Sequence, residues 1–159
     1  MIKIRLICMG KLKEPFWRAA CSEYEKRLRP FCSLSFLELP ESRLPAAPSQ
    51  KQILRALEEE GRRILRAASG AVLAALCIEG ERISSEQLAE RIGGLAARGV
   101  GPIAFAVGSS YGLSGEVKRK ADFRLSLSPM TFPHQLARVM LCEQLYRSFE
   151  ILGHGKYHK

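Results

Sequence analysis

Two stretches of this chain, AVLAALCI (71–78) and PIAFAV (102–107), are apolar at every position over the length of a strand. A strand with one wet face alternates between apolar and polar residues. One that is apolar throughout is covered on both sides, the environment of a parallel sheet enclosed by helices. The opening MIKIRLICMG reads as a third strand over residues 2–9, and SLSFLEL supports a fourth over 33–39 that ends at Pro40. A fifth is expected around 123–127.

Helical periods separate these runs. Residues 14–29 carry Phe16, Trp17, Ala20, Tyr24 and Leu28 at helical spacing, with Pro15 suited to a first turn. Ile53, Leu54, Leu57, Ile64 and Leu65 mark an amphipathic helix over about 49–68, with Arg55, Arg62, Arg63 and Arg66 on its other faces. Those arginines suit phosphate, or form a solvated face balanced by Glu58, Glu59 and Glu60. EGERIS (79–84) reads as a loop; a further helix opens at Ser84 or Ser85, a short one covers about 116–121, and a last one runs over 133–152. Strand and helix alternate five times, which predicts an α/β fold: a mostly parallel sheet with helices on both faces, in one domain spanning 1–159. At 159 residues, folding buries roughly two-thirds of the unfolded surface, enough for a core without disulfide or metal staples.

The five cysteines are scattered, form no CxxC pair and lie mostly in apolar stretches, which predicts free thiols in a reducing cytoplasm and no metal. No apolar run reaches the eighteen or so residues of a membrane span, so no membrane association is expected. Lys and Arg number 25 against 16 Asp and Glu, and the resulting charge of +9 biases the surface toward polyanions such as RNA.

Ligands of open α/β sheets sit beyond the carboxyl ends of the strands, so the segments after residues 78, 107 and 127 are the candidates. Neither GxGxxG nor GxxxxGK[ST] is present, which excludes the usual dinucleotide and ATP cradles. The loop GSSYGLS (108–114) has two glycines that suit close approach to a planar ligand, or simply a tight turn. In LSLSPMTFPH (125–134), Pro129 and Pro133 remove backbone donors and extend the residues before them, as in a ligand-facing segment or a rigid connector. The tail GHGKYHK (153–159) holds two of the three histidines and no core residue, and on composition it reads as a ragged, disordered end.

Taken together and in order, IRLICMGKLKE, AVLAALCIEG, VGSSYGLS, LSLSPMTFPHQLARVMLCEQLYRSFEI and the terminal YHK resemble the SPOUT-class methyltransferases of the RlmH (YbeA-like) family. These modify N3 of a pseudouridine in large-subunit ribosomal RNA. The resemblance covers nearly the whole chain. It departs from the family pattern at Lys156, before Tyr157-His158, and at Gly108-Ser109, where two glycines often stand together.

The resemblance implies a C-terminal trefoil knot, which no periodicity indicates. It implies S-adenosyl-L-methionine as methyl donor, held by Leu76, Gly108, Leu127, Ser128, Pro129, Met130, Thr131 and Phe132. It implies a homodimer through the last helix, whose Leu136, Val139, Met140, Leu141, Leu145 and Phe149 leave little of its circumference polar. Ribosomal RNA, in the assembled large subunit or ribosome, is the expected partner. For catalysis His158 is the expected base, with Tyr157 positioning that base and Lys159 or Arg138 stabilising negative charge on the oxygens of the pseudouridine ring. His134, at a helix start, reads as structural. The alternatives are a methyltransferase acting on another ribosomal or transfer RNA nucleotide, and an RNA-binding assembly factor without turnover.

Overall fold

The computed structural model describes residues 1–155. Five strands, β1 (Ile2–Met9), β2 (Cys32–Leu39), β3 (Val72–Arg82), β4 (Ile103–Val107) and β5 (Phe123–Ser126), alternate with five helices. The helices are α1 (Pro15–Leu28), α2 (Gln50–Ala67), α3 (Ser85–Ala97), α4 (Gly115–Lys120) and α5 (His134–Leu152). The strands form one sheet in the order β2-β1-β4-β3-β5, and every pairing is parallel.

The strand pleat sorts alternate residues into two cores. Ile4, Leu6 and Cys8 of β1, Ala74 of β3, and Ile103, Phe105 and Val107 of β4 pack with α1, α3 and α5. Ile7, Met9, Leu73, Ala75, Ala104 and Ala106 point the other way, onto Ile64 of α2 and Val117 of α4. All of β4 is buried, so no position along it is left for a polar residue. The alanines on the second face keep that layer thin. Where α2 meets α4, Gly61 has no room for a side chain, since a Cβ there would fall on the Ser114 hydroxyl.

Caps set the helix starts. Ser49 and Ser84 each accept from the backbone N–H three residues on, while Gln52 and Gln87 accept from the Ser49 and Ser84 N–H groups at 2.8 Å. Ser84 is thus the cap of α3. Ser84→Ala should cost about 1 kcal/mol, read as a fall of about 2–4 °C in Tm.

The structure corrects three expectations. Phe16 is 61% exposed, and α1 packs instead through Trp17, Cys21, Tyr24 and Leu28. Leu54 is half exposed while Glu60 is buried, so α2 turns Ala56, Glu60, Gly61 and Ile64 inward and Glu60 is no part of a solvated charge balance. Finally, EGER continues β3 to Arg82 and is not a loop. Leu76 and Glu81 both stand opposite Leu125, so the residues between them bulge out of the ladder. The strand returns against β5 at Gly80, where a Cβ would lie 2.7 Å from the Leu125 backbone.

Four of the five cysteines are buried and Cys77 is half-buried. Burial pushes the Cys8 thiol up to about 12 and the Cys32 thiol up to about 11. Among the described residues no helix is long and apolar enough to cross a membrane, and no cluster of His, Cys, Asp or Glu could hold a metal ion.

Candidate functional site

A cleft of about 320 Å³ lies at the carboxyl ends of the three neighbouring strands β4, β3 and β5. Each strand contributes for a local reason. The bulge in β3 presents Leu76, Cys77, Ile78 and Glu79 to it. After β4 the chain folds back at once: Gly112 adopts φ +85°, its N–H donates to the Ser109 carbonyl at 2.9 Å, and Gly108 and Gly112 stack backbone on backbone. A Cβ on Gly108 would fall on the Gly112 carbonyl, so only glycine fits this wall. After β5 the Ser128 hydroxyl accepts from the Met130 N–H at 3.0 Å, and Ser126 donates to the Ser128 carbonyl at 3.0 Å. This turn lays 127–132 across the cleft.

The structure brings together Leu76, Gly108, Leu127, Ser128, Met130, Thr131 and Phe132, seven of the eight residues expected to hold a cofactor. Pro129 lies in the same turn but does not line the cleft. Ile78, Tyr111 and Met130 are large and exposed at the rim, at 47%, 48% and 70%. Such a mouth suits a flat organic group better than a small ion.

Sequence reasoning missed Glu79, Lys118 and His134 as lining residues. Lys118 of α4 pairs with Glu79, and that hydrogen bond holds the Glu79 carboxyl below its ordinary range. Only the three-dimensional bulge brings these two together. His134, expected to be structural, faces the cleft at the start of α5, its Nε2 4.0 Å from Oε1 of Glu41.

Arg138 is placed differently from expectation. It is 2% exposed, its Nη2 donates to the Gly10 carbonyl at 3.1 Å, and its Nη1 stands 3.5 Å from Oε2 of Glu38. It joins α5 to the ends of β1 and β2 and does not line the cleft. Arg138→Ala therefore removes a buried pair and leaves a cavity. With Glu38 still reached by solvent, the expected cost is about 3 kcal/mol, a Tm lower by about 6–12 °C, with ligand affinity of the cleft unchanged. An unchanged Tm with impaired catalysis would return Arg138 to the active site. Tyr157, His158 and Lys159, the other expected catalytic residues, lie outside the described residues.

A family profile described as "Predicted SPOUT methyltransferase" matches residues 2–158. The chain is 44% identical to "Ribosomal RNA large subunit methyltransferase H" of Bifidobacterium animalis subsp. lactis (strain AD011), over 99% of this chain and all of that one. Its identity to the protein of the same name from Clostridium novyi (strain NT) is also 44%, with the same coverage. Among solved structures it resembles a probable methylase family protein from Haemophilus influenzae Rd KW20, with TM-score 0.59 and 16% identity, over 98% of this chain and 70% of that one. A cleft of this form at the ends of a fully parallel sheet, and a profile match over almost every residue, lead to one conclusion: the chain belongs to the SPOUT methyltransferase family.

Proposed function

We propose that this chain transfers a methyl group from S-adenosyl-L-methionine to N3 of a pseudouridine in large-subunit ribosomal RNA. The observation that carries the reading is the convergence of Leu76, Gly108 and the 127–132 turn on one cleft. The fit to a nucleoside-bearing donor is good. Leu76, Leu127 and Phe132 supply apolar walls, Gly108 admits a ring against bare backbone, and Ser128 and Thr131 add hydroxyls. The rRNA assignment draws on relatives of that name, 44% identical over their full length.

When bound, the donor supplies an electrophilic methyl group on its sulfonium. The chain's residues then have three tasks. The walls of the cleft exclude water, and the loop after β4 orients the donor. His158 accepts the N3 proton as the nitrogen attacks, oriented by Tyr157, while Lys159 neutralises charge growing on the ring oxygens. Arg138 is buried against Gly10 and Glu38 and does not line the cleft, so this task is assigned to Lys159.

The whole chain forms one domain with the trefoil knot in its C-terminal part, and two copies join through α5. On α5, Leu136 and Met140 remain half-buried outside the core, while Leu141, Cys142, Leu145 and Phe149 pack into it with α1 and α3. One domain offers little surface for reading sequence, so a ribosomal particle in the cytoplasm is the substrate, approached through the +9 charge with salt-sensitive affinity.

The test incubates the protein and labelled donor with ribosomes from cells lacking the modification and maps the product by mass spectrometry. A methyl on N3 of a large-subunit pseudouridine is expected. A methyl on another ribosomal or transfer RNA nucleotide overturns the target, and absence of both transfer and donor binding leaves a binding factor.

A further inference from the structure

Beside the cleft, and sharing Ser109, Ser110 and Tyr111 with it, a second cavity of about 320 Å³ opens between α2 and the loop that follows β2. Its sides differ in kind. Ile53, Ala56 and Leu57 of α2 form an apolar wall. Glu60 lines the cavity while only 4% exposed. Its Oε1 accepts from the Ser109 hydroxyl at 2.8 Å, and its Oε2 from the Ser42 N–H at 3.1 Å. Each carboxylate oxygen can accept twice, so each keeps capacity for one more donor. Tyr111 stands at the shared edge, and Arg43 is exposed on the rim without an ion pair among the described residues.

These features select a ligand class. A sequestered carboxylate with spare acceptor capacity suits an N–H donor. An apolar wall with an exposed phenol ring suits a flat group, and an unpaired arginine at the mouth suits phosphate. An unstacked RNA base meets all three demands, since single-stranded bases are recognised by aromatic stacking and by hydrogen bonds to their edges. The cleft must present the target base to the donor, so a cavity one loop away suits the neighbouring nucleotide.

We propose that this second cavity receives the nucleobase next to the methylated one. Tyr111 stacks on it, Glu60 accepts from one of its N–H groups, and Arg43 meets its phosphate. The inference rests on the methyltransferase reading above. It makes Tyr111, Glu60 and Arg43 specificity-determining residues, distinct from the groups proposed for proton transfer.

The test uses the full chain and two variants outside the donor cleft. Leu57→Trp fills the cavity from the α2 side, and Arg43→Glu reverses the rim charge; melting curves confirm that each is folded. Affinity for labelled large ribosomal subunits lacking the modification is read by filter retention, and donor Kd by calorimetry. Loss of one stacked base predicts that each variant binds subunits about 10-fold or more weakly, with donor Kd within about 2-fold of the parent. Parental subunit affinity in folded Leu57→Trp overturns the proposal, even where Arg43→Glu weakens binding, because charge alone then explains the effect. Retention is read without turnover. A parent that binds subunits but methylates nothing therefore sinks the methyltransferase reading separately.

Discussion

Gly108→Val leaves a folded protein that binds S-adenosyl-L-methionine about 100-fold or more weakly than the parent, a difference of about 2.7 kcal/mol. The added side chain begins where the Gly112 carbonyl already stands, so the two backbones must separate. This shift moves the wall on which the donor's ring is proposed to rest. Gly108 lies beyond the paired residues of β4, whose ladder with β1 ends at Val107, so the sheet's own pairing is not touched by the change. Calorimetry reads the loss and a melting curve the integrity of the chain. Ser109→Ala, which removes only the hydroxyl that Glu60 accepts, is the milder comparison. A folded Gly108→Val protein with donor Kd within about 3-fold of the parent would remove the loop after β4 from the donor site.

His158→Ala lowers methyl transfer by about 10²- to 10⁴-fold while donor Kd stays within about 2-fold. The reasoning is chemical: N3 of a pseudouridine is a weakly acidic imide, and a base titrating near neutrality serves it best. A variant that keeps the parent's rate removes His158 from the chemistry and makes His134, which faces the cleft, the next residue to replace.

How much of this was legible in the sequence depends on how local each signal is. Strands covered on both faces announce themselves as unbroken apolar runs, and β4 is the clearest case, with five buried residues in a row. Capping serines followed by glutamine mark the starts of α2 and α3 for the same reason: both partners lie within one turn. The polar stretch 79–82 reads as loop because its place in the sheet depends on the bulge opposite Leu125, which no periodicity encodes. Glu60 and Arg138 mislead more. Charged residues normally stay in water, and what holds these two inside is Ser109, 49 residues from Glu60, and Gly10, 128 residues from Arg138. For the residues proposed to hold the donor, resemblance and not periodicity was the guide, and seven of the eight line one cleft.

The strand order has a consequence for how the chain is made. β1 sits between β2 and β4, and its Ile4 pairs with Ile103, a residue synthesised about a hundred positions later. Until β4 has left the ribosome, β1 has only β2 to pair with and its other edge is bare, while β3 has neither of its neighbours. A nascent chain of this topology therefore completes its sheet late, with long-range closure as the slow step. Chaperone protection should matter most in the interval before residue 107 emerges.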